Sequence, residues 1–181
     1  MSTRSILESI QGSALADWMR YSGAAPVIES THVVAAVLLF GTVLVVDLRL
    51  LGLADSRLPF TRISHETLSL TWIAFVISVI TGALMFTASA QTYFDNTAFQ
   101  LKVLALCGAG LNMALFQLVT ARRIAAWNQG APTSRAARVA GLLSVLLWAS
   151  VVLLGRWIGF TKGYDFTIPP GVELGFPIGP E

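Results

Sequence analysis

The chain has 181 residues, of which 55% are hydrophobic and only 12% are charged, and its formal net charge is +2. Soluble domains usually carry about twice that charged fraction, so the composition is that of an integral membrane protein. The small net charge excludes the broad basic surface that nucleic acids require, and we expect no nucleic-acid partner.

Residues 1–25 carry the pattern of an amphipathic helix. Apolar side chains recur there at helical spacing: Ile6, Leu7, Ile10, Ala14, Trp18 and Tyr21. Ser5 and Glu8 have the spacing of a capping box, which predicts a helix over residues 5–20. Two placements are open for it. We favour a helix lying in the membrane interface, and the alternative is a helix packed on the end of the bundle.

Four segments are long and apolar enough to span a bilayer: residues 27–53, 67–90, 98–120 and 137–160. Backbone groups in lipid must be satisfied within the segment, so each is expected to be helical. Short connections imply antiparallel neighbours. The sequence therefore predicts an all-α fold: an integral membrane four-helix up-and-down bundle over residues 26–160, preceded by the interfacial helix.

The distribution of basic residues predicts the orientation. Arginines concentrate around the loops after the first and third spans: Arg49, Arg57, Arg62, Arg122, Arg123, Arg135 and Arg138. By the positive-inside rule we expect these loops to be cytoplasmic and both termini to lie on the exoplasmic side of the membrane. Residues 161–181 are rich in proline, which predicts an extended exoplasmic tail rather than a further helix.

The first span carries three ionisable residues, Glu29, His32 and Asp47. At about 100° per residue they fall within roughly 60° of one another on a helix. Charges at membrane depth are costly, so this stripe must face protein, water or a bound group. The predicted topology puts Glu29 and His32 near the outer surface. Asp47 lies in the inner half, where we expect it to anchor Arg49 or Arg122.

Lys102 and Arg156 lie at a depth similar to that of Glu29 and His32. We expect these four residues to converge on an outward-side polar pocket that binds a cofactor. His32 is the candidate metal ligand, because neutral imidazole suits both iron and copper. Structural alternatives are an ion pair between Glu29 and Arg156, a hydrogen bond of His32 within the bundle, and snorkelling of Lys102.

The second and third spans each carry a face of small residues. The second has Thr67, Thr71, Ala74, Ser78, Gly82 and Ser89, and the third has Ala105, Cys107, Gly108, Ala109 and Gly110. Such faces let helices pack closely, which is the interpretation we favour. They would equally make room for a flat cofactor such as a porphyrin inside the bundle.

The sequence also limits the kind of site. His65 lies at the opposite end of the membrane from His32, on the order of 25 Å away at 1.5 Å per residue, so the two cannot ligate one metal or haem. A bis-histidine haem would need His32 from two subunits or a different second ligand. The only cysteine, Cys107, excludes a cysteine-based metal cluster within one chain. No motif of a stand-alone enzyme is present.

A set of residues spread along the chain carries a family resemblance. It comprises Glu29-x-x-His32, Gly41, Asp47-Leu48-Arg49-Leu50-Leu51-Gly52, Thr81-Gly82, Tyr93, Phe99-x-x-Lys102, Asn112 and Gly155-Arg156-Trp157. From residue 27 to residue 160, the chain resembles an uncharacterised family of small four-helix bacterial inner-membrane proteins. A histidine early in the first span is similar, in architecture, to copper-resistance D-type proteins and to membrane haem proteins of the cytochrome b kind.

Two classes of function follow. In the first, which we favour, His32 binds haem b or copper for electron transfer or metal handling on the outer side of the membrane. In the second, the chain binds no cofactor and is a non-catalytic accessory subunit of a larger membrane complex. A third alternative is a proton or small-solute pathway along Glu29, His32 and Asp47. Besides the lipid bilayer, the expected partners are a second copy of the chain or a larger membrane complex.

Overall fold

The computed structural model describes residues 2–54, 60–116, 118 and 134–161, and within 60–68 only the side chain of residue 67. The predicted tail, the loop arginines Arg57, Arg122 and Arg123, and the side chains of Arg62 and His65 lie outside the described residues. Seven helices and no strand make up the described part. They are α1 (Thr3–Gln11), α2 (Ala14–Tyr21), α3 (Ala25–Leu51), α4 (Phe60–Ala88), α5 (Ala90–Phe94), α6 (Thr97–Leu115) and α7 (Arg135–Thr161).

Four of these helices have the length and hydropathy of membrane spans: α3, α4 from Ser69 to Ala88, α6 and α7. Large apolar side chains cover their outward faces, which suits contact with lipid. The predicted all-α fold with four spanning helices is confirmed. Its make-up is that of a multi-pass membrane protein.

Local chemistry sets the ends of α3. Pro26 lies in its first turn, where the missing N–H is not needed, so the helix begins at Ala25. Gly52 ends it by adopting a left-handed φ of 78°. The N–H of Leu53 then donates to the carbonyl oxygen of Leu48 at 3.0 Å, which satisfies an otherwise open helix terminus.

The spanning helices pack side by side in the order α4, α3, α7, α6. Within the described parts of the chain, no comparable contact joins α4 to α6. Their ends are connected instead by α5 and by an aromatic cluster of Phe86, Tyr93 and Phe99. The backbones of α4 and α6 are therefore spaced more widely than those of the other neighbouring spans, and we call this the open side of the bundle.

Glycine allows the closest approach between α3 and α7. A Cβ atom on Gly141 would lie 3.0 Å from the Leu50 Cβ and 3.2 Å from the carbonyl oxygen of Asp47. A Cβ on Gly108 of α6 would likewise lie 3.2 Å from a methyl group of Leu147 on α7. At Gly108, the small-residue face of the third span serves close helix packing.

The N-terminal segment forms two helices where one was expected. Gly12 and Ser13 separate α1 from α2, and the Ser13 hydroxyl caps α2 by accepting from the Ala16 N–H at 3.3 Å. The predicted capping box of Ser5 and Glu8 is not formed. Helix α1 already begins at Thr3, and the Ser5 hydroxyl donates backwards to a carbonyl oxygen.

These two short helices pack on the ends of α4 and α5. Met19 of α2 is almost completely buried, with only 2% of its surface exposed. One guanidinium nitrogen of Arg20 donates to the Ala88 carbonyl oxygen and another to that of Gln11, each at 2.9 Å. The Gln91 N–H donates to the Gln11 side chain at 3.2 Å. These are the contacts of a segment packed on the bundle end, and its location in the membrane interface stays a prediction.

We expect Arg20→Met to loosen the α1–α2 segment without disturbing the spans. Loss of the charge-assisted bonds should cost about 1 kcal/mol locally, or roughly five-fold faster amide hydrogen exchange in α1 and α2. Exchange measured by mass spectrometry checks this. Arg4→Met, at an exposed position of α1, is the matched control and should leave exchange unchanged. Equal protection in both variants would mean that Arg20 does not anchor the segment.

Candidate functional site

The His32 imidazole lies between α3 and α4. Its Nδ1 atom is 2.9 Å from the Thr81 hydroxyl oxygen. The ring rests on Gly82, where a Cβ atom would come within 3.2 Å of the ring carbon Cε1. The backbone carbonyl of Ser78 is a further hydrogen-bonding group beside the ring. At Gly82, the small-residue face of α4 is therefore occupied by the imidazole.

Lys102 extends from α6 into the interior of the bundle. Its Nζ atom lies 3.6 Å from where a Cβ would stand on Gly155 of α7. The side chain is half-buried, and it forms no ion pair with a carboxylate among the residues that the structure describes. Its charge is near enough to act on the His32 imidazole. His32 on α3 and Lys102 on α6 therefore lie within electrostatic range of each other.

The other two predicted site residues form no hydrogen bond or ion pair with His32 or Lys102 in the described part of the chain. Glu29 is exposed. The Arg156 guanidinium stacks on the Phe160 ring at 4.9 Å from its centroid. No ion pair joins Glu29 to Arg156, because the one ion pair within the described ranges is that of Arg20 and Asp17. Of the four residues expected to converge, the fold brings two together.

An aromatic cluster covers the pair on the side of the chain termini. Phe86 stacks on Phe99 with 5.6 Å between ring centroids, and the Tyr93 ring lies 5.5 Å from that of Phe99. Phe86 follows Gly82 by one helical turn, and Phe99 precedes Lys102 by about the same rise. The polar pair thus lies one turn beneath an aromatic layer. An outward-side pocket around His32 stays a prediction.

A separate depression of about 570 Å³ opens at the same end of the bundle. Its lining consists of Thr92, Asp95, Asn96, Thr97, Ala98, Leu101, Leu154, Trp157 and Thr161. Asn96 caps α6 by accepting from the Phe99 N–H at 3.1 Å and donates to the Thr161 hydroxyl at 2.9 Å. The polar groups of Asn96 are thereby used for structure. None of the four predicted site residues lines this depression.

Ser78 is a residue of the site that sequence reasoning passed over. Its hydroxyl is buried and has no hydrogen-bond partner in the described part of the chain. Leaving a buried hydroxyl unpaired costs about 1–3 kcal/mol. Ser78 and Gly82 are one turn apart on α4, so this hydroxyl lies on the helix face that meets His32. The only signal in the sequence was the membership of Ser78 in the small-residue face.

At the other end of the bundle, Asp47 and Arg49 are 4% and 2% exposed. They are two residues apart and so point to different sides of α3. The Ser144 hydroxyl of α7 interacts with the Asp47 carboxylate. Asp47 Oδ2 and the Nε and Nη2 atoms of Arg49 have no hydrogen-bond partner among described residues. The expected pairing of Asp47 with Arg49 is wrong, and Arg122 lies outside the described residues.

The ligand set available to a metal is small. No group of three or more histidine, cysteine, aspartate or glutamate side chains converges within the described ranges. Protein copper sites are built from several such ligands, so a lone imidazole is a poor copper site. Haem iron already has four porphyrin nitrogens and needs only an axial protein ligand. Among the described residues, His32 is the one histidine side chain that could ligate either group.

Comparison with known families agrees with this description. The model of a family of unknown function, DUF6644, matches residues 16–161. The chain belongs to this family. The DUF6644 region begins in α2 and includes all four spans, so it contains both the His32–Lys102 pair and the buried Asp47 and Arg49. The predicted resemblance to a family of four-helix membrane proteins is thereby confirmed. No curated protein and no solved structure matches the chain.

Proposed function

We propose that this DUF6644 protein is a bacterial inner-membrane protein that holds haem b through His32 and takes part in electron transfer. The observation that carries the proposal is the environment of His32. Its Nδ1 is bonded to Thr81, while Lys102 and the unpaired Ser78 hydroxyl lie nearby. The positions of the arginines support an orientation with His32 near the exoplasmic surface and both termini on that side.

Each residue of the site has a distinct part in this proposal. His32 would hold the haem iron through Nε2. Lys102 of α6 would neutralise an anionic group of the porphyrin. Arg156 of α7, which stacks on Phe160, is a second cation of the predicted site that could do so. Haem, when bound, supplies one-electron redox chemistry. Glu29 is exposed and has no part in the proposal.

The open side of the bundle supports the choice of location. Gly82 of α4 is in close contact with His32 of α3, and Gly108 of α6 is in close contact with Leu147 of α7. A planar group can therefore approach His32 only where neighbouring spans are not in close contact. Among the described helices that place is between α4 and α6, next to Lys102. The aromatic cluster above it would limit the access of water.

Absorbance spectra of protein purified in detergent test the proposal. We expect a Soret band and about one haem per chain or per pair of chains after expression with adequate haem supply. His32→Leu should abolish the bound chromophore and leave the helical content unchanged, because the protein loses its bond to the haem iron while the bundle remains. His65→Leu is the control and should keep both the chromophore and the helical content.

The opposite results would overturn the haem proposal. They are a wild-type protein without a Soret band, or a His32→Leu variant that retains its haem. Stoichiometric copper in place of haem, lost on the same substitution, would favour metal handling.

The second candidate function is a non-catalytic accessory subunit of a larger membrane complex. The open side between α4 and α6 favours it, because most residues in the apolar stretches of these two helices are not buried within the chain. A spanning helix of another protein could complete the bundle there. Purification in mild detergent should then recover a fixed partner in constant ratio, whereas a chain that purifies alone would count against this candidate.

A further inference from the structure

We infer that Thr81 is a positioning residue that fixes the tautomer of His32: whenever the imidazole is neutral, its proton is on Nδ1 and the free lone pair is on Nε2. The consequence for ligand binding rests on the proposed haem site. The assignment of the tautomer does not, because it follows from the contacts of the Thr81 hydroxyl.

Three polar atoms surround the Thr81 hydroxyl oxygen. The Ile77 carbonyl oxygen lies at 2.6 Å, the Ser78 carbonyl oxygen at 3.3 Å and the His32 Nδ1 atom at 2.9 Å. A hydroxyl has one proton to donate, and a carbonyl oxygen can only accept. At 2.6 Å, the Thr81 proton must lie between the two oxygens, because otherwise their lone pairs would repel each other. The proton of Thr81 is therefore used within α4.

What remains on the Thr81 oxygen is a lone pair directed at His32. A hydrogen bond at this position then requires Nδ1 to carry a proton. In a neutral imidazole the other nitrogen, Nε2, is unprotonated and is the atom that can bind a metal or accept a proton. The carbonyl of Ser78 is a second acceptor beside the ring and favours a ring N–H in the same region.

Packing fixes the ring as well as its proton. The edge of the ring at Cε1 lies against Gly82, at the distance where any side chain on that residue would press on it. Thr81 is itself only 8% exposed, so water does not compete for its lone pair. Oxygen partners of this kind are what orient metal-binding histidines in proteins, and their loss typically weakens metal binding about 10–100-fold.

The test measures the tautomer in haem-free protein. In a sample labelled with ¹⁵N-histidine, we expect Nδ1 of His32 to have the shift of a protonated nitrogen and Nε2 that of an unprotonated one. Thr81→Val removes the hydroxyl but keeps the shape of the side chain. It should move the population towards the Nε2–H tautomer. Thr81→Ser should restore the wild-type shifts.

Thr87→Val is the matched control. Thr87 is on the same helix, and its hydroxyl donates to the Leu84 carbonyl oxygen at 2.7 Å. It forms no hydrogen bond with His32. This variant should leave the His32 shifts unchanged. Protonated Nε2 in the wild type, or identical shifts in Thr81→Val and wild type, would overturn the inference.

Haem titration separates this inference from the proposed function. If the protein binds haem, Thr81→Val should weaken binding by about 10–100-fold and Thr87→Val should not. If the wild type binds no haem but shows the Nδ1–H tautomer and loses it in Thr81→Val, the haem proposal falls and the role of Thr81 stands. Unchanged haem affinity in Thr81→Val would show that Thr81 has no role in haem binding.

Discussion

Replacing Gly141 with valine should destabilise the bundle by roughly 1–3 kcal/mol. The first atom of any side chain at this position meets the Leu50 Cβ at 3.0 Å and the backbone carbonyl oxygen of Asp47 at 3.2 Å. Neither is the end of a flexible side chain, so α3 and α7 must move apart to make room. Separation would also expose the buried side chains of Leu50 and Asp47.

Gly110→Val is the matched control for this substitution. Gly110 also lies within a spanning helix, but nothing stands within 4 Å of the place where its Cβ would be. Unfolding in mixed micelles with increasing fractions of a denaturing detergent measures both variants. The expected result is a loss of stability for Gly141→Val alone. Equal losses would show that valine disfavours these helices for local reasons and that close packing of α3 on α7 is not important.

Arg49→Met should raise the free energy of unfolding by about 1–3 kcal/mol. Arg49 is 2% exposed, yet its Nε and Nη2 atoms have no hydrogen-bond partner in the described ranges. A buried charged group with unpaired donors is costly, and methionine fills a similar volume without that cost. The same unfolding measurement checks the sign of the change.

Arg138→Met provides the comparison at the same end of the bundle. Arg138 is exposed on α7, so its replacement should change stability by less than about 0.5 kcal/mol. If Arg49→Met instead destabilises the protein strongly, Arg49 pairs in the membrane with a group outside the described residues. A bound anion or the headgroup of an anionic lipid would then be the first partners to test.

The spans could be predicted from sequence because the signal is local. Length and hydropathy identify α3, α4, α6 and α7. The predicted limits differ from the observed ones by a few residues, except at the start of α4, which begins at Phe60 rather than at residue 67. Pro26 and Gly52 even mark the two ends of α3, since their effects on the backbone do not depend on distant contacts.

The N-terminal segment shows where local patterns are insufficient. The spacing of Ser5 and Glu8 satisfies a capping box, but the helix begins earlier, and Ser13 provides the cap of a second helix. Apolar periodicity continues across Gly12 and Ser13, so it cannot reveal the break. The contacts of Arg20 and Gln11 with α4 and α5 hold the two pieces in place.

The composition of the site was only partly accessible from sequence. Lys102 was predicted to lie near His32 and is within electrostatic range of it, whereas Glu29 is exposed and Arg156 stacks on Phe160. Depth along the membrane follows from residue number, but direction around a helix axis depends on how neighbouring helices are rotated. For the same reason, the roles of Ser78 and Thr81 were not predicted.

Composition and hydrophobic periodicity were enough to establish a membrane-spanning all-α protein with an ionisable stripe on its first span, because these properties depend on each residue and its near neighbours. The partners of that stripe depend on contacts between residues far apart in the chain. The bond between His32 and Thr81 joins residues 49 positions apart, and the Asp47 carboxylate meets Ser144 because α7 packs closely on α3 at Gly141. Such contacts are decided by the rotation and separation of whole helices, and only the tertiary structure contains that information.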